Sequence, residues 1–228
     1  MNIAIIPARG GSKGIPKKNM FEVLGKPLLG WTISQALAEK EIKEVYVTTD
    51  DRDIASYALS MGSKVIMRPA KISTGISSSE SAISHALDFI KTNNNITPEL
   101  VVFLQATSPL RLPGDIGKAI KQFHESNANS LFSSSVAADL TLWQEKNKEL
   151  KSINFDYKNR QMRQEALTQL VENGSIYIFP PDTLSKYKNR LGGNIKTYIM
   201  KPWQVHEIDV LEDIELVEYY LKRYLITI

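Results

Sequence analysis

The sequence contains no cysteine. That excludes disulfides, thiolate metal sites and a thiol nucleophile, and it fits a cytoplasmic protein. Histidine is almost as scarce. Its three residues, His85, His124 and His206, are scattered along the chain, and no Ser/His/Asp arrangement is evident. No apolar run approaches the roughly 18 residues that a membrane span requires. The apolar start, Met1 to Pro7, has no basic residue ahead of it and is too short for a signal peptide. Excess charge is also lacking: 28 Lys and Arg stand against 25 Asp and Glu, a formal net charge of +3. A nucleic-acid binder needs a concentrated basic face, and this balance does not demand one. The expectation is a soluble protein of the cytoplasm with neither membrane nor nucleic acid as a partner.

What is present is ordinary globular composition, 43% hydrophobic and 23% charged over 228 residues. Such a length suits one α/β domain covering residues 1–228. Short apolar runs alternate with amphipathic stretches over the first 135 residues. Strands are expected at Asn2–Pro7, Glu44–Thr49, Ser63–Met67, Leu100–Leu104 and Ser130–Val136. Helices are expected at Pro27–Glu39, Asp51–Ser60, Ser79–Lys91 and Gly114–Glu125. This rhythm implies βαβ units and a mainly parallel sheet between two helical layers, a Rossmann-like α/β/α architecture. From Ala137 to Asn173 the rhythm breaks into a polar stretch, which reads as an insertion, a pairing arm or a loop over the site. A turn and strand at Asn173–Phe179, a strand at Lys196–Met200 and a helix at Leu211–Leu225 complete the chain.

Parallel sheets of this kind bind ligands beyond the carboxyl ends of their strands. The segment there after the first strand is Ala8-Arg9-Gly10-Gly11-Ser12-Lys13-Gly14-Ile15-Pro16-Lys17-Lys18-Asn19. Three glycines allow tight turns and close backbone approach. Arg9, Lys13, Lys17 and Lys18 add four cations. Free N–H groups with cations suit a polyphosphate. The pattern is neither a Walker A loop nor GxGxxG. Read without a ligand, it is a solvated basic loop with turn glycines.

Asp50–Asp51, directly after the second strand, and the segment that opens at Gln105 follow the same logic. Gln105-Ala106-Thr107-Ser108-Pro109-Leu110-Arg111 follows the wholly apolar run Leu100–Leu104. Glu207-Ile208-Asp209 places two carboxylates at i and i+2, on one side of an extended chain. Such a pair suits Mg²⁺, which takes one or two carboxylates and completes its shell with phosphates and water. The alternative for Asp209 is a cap on the last helix, with Glu212 three residues on.

The string IPARGGSKGIPKKN resembles the N-terminal signature of the CMP-sugar-acid synthetases. Ordered matches continue with GKPLLGWTI at 25–33, VTTDD at 47–51, RPA at 68–70, LQATSPLR at 104–111, RQ at 163–164, NGSIYI at 173–178 and EIDVLEDIELVE at 207–218. The likeness is greatest to the sialic-acid branch, the N-acylneuraminate cytidylyltransferases and their legionaminate and pseudaminate relatives. It implies transfer of CMP from CTP to a nine-carbon sugar acid. Arg9, Gly10, Gly11, Ser12 and Lys18 would hold the CTP phosphates, with Lys13 nearby and Ala8 and Asn19 bounding the loop. Arg9 and Lys18 would stabilise charge on the α-phosphate and the leaving pyrophosphate. Arg68 and Ser79 would lie near cytosine and ribose. Gln105, Arg163, Asn173 and Tyr177 would form the sugar site, and Glu207 and Asp209 would coordinate Mg²⁺. A homodimer is implied, with 137–165 as its pairing arm.

The sequence departs from that family in four places, one of them the stretch after Arg163, where Leu167 and Leu170 stand in place of the family's proline and aromatic. Glu207 replaces the usual Asp, moving a carboxylate by about 1.5 Å, one C–C bond. Ala106 replaces a common proline. Lys188–Asn194 lacks the aromatic pair that sialic-acid enzymes set against the N-acyl group, which leaves the sugar's acyl pattern open. The alternatives are an octulosonate cytidylyltransferase or another sugar nucleotidyltransferase, a catalytically silent nucleotide-binding module, and a nucleic-acid binder.

Overall fold

A computed structural model describes residues 1–12, 14–137, 140–160 and 168–226. In chain order its strands are β1 (Asn2–Pro7), β2 (Glu22–Val23), β3 (Lys26–Pro27), β4 (Ile42–Thr49), β5 (Lys64–Met67) and β6 (Leu100–Leu104), followed by β7 (Ser130–Val136), β8 (Trp143–Lys146), β9 (Glu149–Ser152), β10 (Leu170–Phe179) and β11 (Ile195–Met200). The helices are α1 (Leu28–Leu37), α2 (Arg52–Ser60), α3 (Ser79–Asn94), α4 (Asp115–Glu125), α5 (Pro181–Tyr187) and α6 (Glu212–Tyr224). Seven strands form the central sheet in the order β11-β7-β10-β6-β1-β4-β5, while β2–β3 and β8–β9 pair by themselves. The mainly parallel three-layer architecture expected from the alternating pattern is present.

Period-two alternation in the strands makes the layers. Ile3 and Ile5 of β1 point to one face, where they pack with Ile83, Ala86 and Ile90 of α3 and Leu184 of α5. Ala4 and Ile6 point to the other, where they meet Leu29 and Ile33 of α1, Ile54 of α2 and Ile120 of α4. A third cluster joins Ile15 of the glycine loop to Leu110, Ile208 and Val217, so α6 packs under the loops that end the strands. Asp51 caps α2 by accepting from the N–H groups of Asp53 (2.8 Å) and Ile54 (3.0 Å). Ser78 caps α3 through Ser81 N–H.

Two departures from the expected pattern bear on function. The stretch after Ala137 contains the β8–β9 hairpin, and the strand expected at Asn173 begins at Leu170 and runs to Phe179. That strand, β10, is antiparallel to both β6 and β7. Its first residues therefore lie at the sheet edge where β1, β4, β6 and β7 end. Asn173 and Gly174 sit within a register irregularity of β10 rather than in a turn ahead of it, and Gly174 has a positive φ of 65°. Among the described residues no helix is long and apolar enough to cross a membrane.

The alternation predicts unequal costs for two truncations. Ile5→Ala, at a site with no exposure, should lose about 2–5 kcal/mol in urea unfolding. Leu59→Ala, at a residue 59% exposed, should stay within about 0.5 kcal/mol of the parent. Equal losses at both would contradict the layer assignment.

Candidate active site

The loop after β1 is fastened on three sides. Ala8 N–H donates to Thr48 O at the end of β4 (3.0 Å), and Gly10 N–H donates to Asp50 Oδ1 (3.1 Å). Asn19, itself buried, donates its amide to Arg9 O at 2.9 Å and closes the loop on itself. Two glycines are required by close approach. A Cβ on Gly10 would stand 2.6 Å from Asp51 Oδ2, and one on Gly14 would stand 2.2 Å from the carbonyl oxygen of Asp209. Only a bare backbone lets this loop lie between the end of β4 and the segment before α6.

The cations of the loop are spread by their partners. Lys17 is drawn outward to Asp53 (3.3 Å). Lys18 turns inward and meets Asp209 Oδ1 at 2.7 Å, with little of its side chain exposed. Arg9 donates to Thr74 O at 2.9 Å. Arg68, at the end of β5, is buried, and its nearest carboxylate, Asp50, is 3.8 Å away. Its Nε and Nη2 have no hydrogen-bond partner among the described residues. Burial and the charge of Arg9 push the Arg68 guanidinium below its usual range. A buried cation with spare donors is an electrostatic demand for an anion or an acceptor.

These residues line one cavity of about 320 Å³. Arg9, Ser12, Lys18, Asn19, Arg68, Ser79, Gln105 and Asp209 all contribute to its wall, so eight of the residues singled out in the sequence converge from across the chain. Gly10 and Gly11 belong to the same loop, and buried Ala8 leads into it. Lys13 and Arg163 lie outside the described residues.

Next to the cavity, Glu207 accepts at one oxygen, Oε2, from Gln105 Nε2 (3.0 Å), Thr107 Oγ1 (3.1 Å) and Ser108 Oγ (3.3 Å). Ile208 N–H binds Thr107 O at 2.9 Å and locks the two segments together. Burial, with the charge of Asp209 adding to it, raises the Glu207 pKa against the hydroxyl donors and Lys18, which lower it. Gly174 approaches from β10. A Cβ there would lie 3.1 Å from Gln105 Oε1 and 3.2 Å from Glu207 Oε1. Asp209 does not cap the last helix: its own N–H, like that of Val210, donates to Asp213 Oδ2. Its carboxylate is left facing Lys18.

Among the described residues no group of three or more His, Asp or Glu could hold a metal ion. The donor set offered here is two carboxylates beside a cation-lined cavity. It fits a hard divalent ion that takes its remaining oxygens from phosphate and water, and does not fit a closed structural site.

The residues expected around a sugar divide. Gln105 is in the cavity wall. Asn173 is buried within the sheet, with its Oδ1 accepting from Ser133 Oγ and from Ser175 N–H and its Nδ2 directed at Ser135 and Met200. It shapes the β10 irregularity. Tyr177 donates to Glu172 and lies under the guanidinium of Arg190, 4.3 Å from the ring centre, while Arg190 pairs with Glu80. Burial raises the Tyr177 pKa. His206 stacks on Tyr220, and Trp203 stacks on Tyr220 and Tyr224.

Thr107 and Ser108 of the LQATSPLR segment read from sequence only as helix-capping residues, and no role for Arg111 or Arg190 follows from the sequence alone. Arg190 and its partner Glu80 stand 110 residues apart with no periodic signal connecting them.

Comparison with known proteins bears on the family and the fold. The cytidylyltransferase family model matches residues 3–220. An N-acylneuraminate cytidylyltransferase from Oncorhynchus mykiss is 35% identical over 227 residues, covering 97% of this chain and 50% of that protein. The chain thus spans about half the length of that relative. A pseudaminic acid cytidylyltransferase from Campylobacter jejuni is 27% identical over 226 residues, covering 97% of this chain and 96% of that one. Among solved structures, a CMP:2-keto-3-deoxy-manno-octonic acid synthetase complexed with CTP superposes with a TM-score of 0.72 at 19% identity, covering 98% and 99% of the two chains. A fold with these layers, a glycine loop of this construction and a family match over nearly its whole length mean that the chain belongs to the cytidylyltransferase family.

Proposed function

We propose that this chain transfers CMP from CTP to a nine-carbon sugar acid of the sialic-acid type, releasing pyrophosphate. The observation that carries the reading is the single cavity in which the glycine loop, Arg68, Gln105 and the Asp209 segment meet. The names of the two relatives support the acceptor class, and their shared CTP chemistry supports the nucleotide.

In this reading the hydroxyl on the anomeric carbon of the acid attacks the α-phosphorus. A P–O bond to the sugar forms as the hydroxyl's O–H bond breaks and its proton passes to solvent, while the bond to the β-phosphate oxygen breaks and its electron pair leaves with pyrophosphate. The protein's contribution is orientation and charge stabilisation. The backbone of Gly10 and Gly11 with Ser12 cradles the phosphates. Lys18, held by Asp209 at 2.7 Å, and Arg9 place positive charge where the leaving group gathers negative charge. Arg68 supplies its unused donors to the nucleoside side, with Ser79 beside it. Gln105, anchored to Glu207, presents an amide to the acid. Glu207 and Asp209 would hold Mg²⁺, which when bound neutralises phosphate oxygens and polarises the α-phosphate.

Pairing into a homodimer through the hairpin region is part of the same proposal. Trp143, Leu150, Ile153 and Tyr157 leave large apolar surfaces in water there, from 43% to 66% exposed, and such clustering favours a partner surface.

Pyrophosphate release should require CTP among the four ribonucleotides and a nonulosonic acid among offered acceptors; release with octulosonic acid alone, or with a sugar 1-phosphate, would overturn the acceptor assignment. Lys18→Ala should lower kcat/KM for CTP by about 100-fold or more, and unchanged turnover would remove the phosphate role given to it. Chelation should abolish turnover and added Mg²⁺ restore it. Light scattering should give twice the chain mass of 25.7 kDa, with Trp143→Glu shifting the protein to the monomer; a parent that runs as a monomer would refute the pairing.

A further inference from the structure

Arg111 is fully buried, and among the described residues no carboxylate lies within ion-pairing distance of it. Burial lowers its pKa, and Asp115 and Glu207 oppose this only from beyond contact distance, so its hydrogen bonds must be strong and well placed. All three nitrogens of the side chain are used. Nη2 donates to Gln105 O and to Ser175 O, each at 2.7 Å, and Nε donates to Ser175 O at 3.2 Å. Nη1 donates to Thr32 Oγ1 (3.1 Å) and Gln35 Oε1 (3.0 Å) on α1.

The two carbonyls have a particular place in the sheet. β10 and β6 pair with Tyr177 opposite Phe103 and Ile176 opposite Leu104. The next step of that antiparallel register would set Ser175 opposite Gln105. There the backbone pairing stops, and the guanidinium binds both carbonyls in its place. Nη2 bridges the two carbonyls, while Nε on Ser175 O and Nη1 on α1 fix its orientation, which a freely rotating ammonium would not keep. Beyond this point β6 becomes the Gln105–Ser108 loop that holds Glu207, and β10 carries Gly174 against the Gln105 side chain.

We infer that Arg111 is a positioning residue for the acceptor side of the site. It replaces a rung of the β6–β10 ladder with its side chain and so sets where the Gln105 amide and the Gly174 backbone stand. The part concerning the acceptor rests on the proposed CMP transfer; the part concerning the ladder does not.

Hydrogen exchange with CTP present, read by segment, tests it on Arg111→Lys, which keeps the charge and loses the fork. Segments 104–108 and 173–177 should exchange about ten-fold faster or more, with β4, residues 42–49, at the parent rate. KM for the sugar acid should rise about ten-fold while the CTP dissociation constant stays within about two-fold. Parent-rate exchange in the two segments, or equal acceleration in β4, overturns the positioning role, as does an unchanged KM. If Arg111→Lys does not fold, Thr32→Val removes one partner of Nη1 and also a direct bond to Gln105 O, so it is read at segment 173–177, which Thr32 does not bond: exchange there should be about three-fold faster, and parent-rate exchange there overturns the role. A parent enzyme that turns over no sugar acid would refute the proposed transfer, and the exchange result would still judge the ladder.

Discussion

In a sheet whose other pairs are parallel, β10 lies antiparallel between β6 and β7, so its first residues arrive at the edge where its neighbours end. That reversal puts Gly174 against Gln105 and Glu207 and brings Ser175 within reach of Arg111. A parallel strand in the same slot would present its last residues at this edge and leave residues 172–175 at the opposite one. The site is thus assembled from strand ends at residues 7, 49, 67 and 104, a strand start at 170, and the segment before α6.

The contacts that hold these ends together differ in what they supply. The Lys18–Asp209 pair joins residues 191 apart, yet Asp209 is 69% exposed, so the pair adds no more than about 1 kcal/mol to stability. Its effect is placement: it keeps a cation at the cavity wall. Gly10 and Gly14 act through what they lack, since a Cβ at either position would meet Asp51 or the Asp209 carbonyl. Arg68 and Arg111 are both buried cations, with opposite fates. Arg111 spends its donors on the protein, whereas Arg68, beside the cavity, has no hydrogen-bond partner for Nε and Nη2 among the described residues.

Much of this was legible in the chain. Apolar runs of five or six residues identify β1 and β6, because their patterns are local and strong. Position after a strand identifies the glycine loop, Asp50 and the Gln105 segment, because ligands of such sheets collect there. The rest depended on long-range pairing. Nothing between Ala137 and Asn173 announces that β10 turns against its neighbours, since antiparallel pairing leaves no signature in one strand alone. Asn173 carried a family expectation of touching sugar, but its amide is bonded inside the sheet. Asp209 looked equally able to cap a helix, and only the position of Asp213 decides which carboxylate receives the chain's free N–H groups.

The placement of the nucleotide is the claim on which the rest of the functional account stands. The fold offers a competing cavity of about 350 Å³ between α3 and α5, lined in part by Asp88, Lys91 and Lys188. A crystal structure of this chain with CTP distinguishes the two directly. The account predicts the triphosphate against Gly10–Ser12 with Arg9 and Lys18 at its oxygens, and the base and ribose beside Arg68 and Ser79. A nucleotide seated between α3 and α5, or one bound with its phosphates away from the glycine loop, would contradict it.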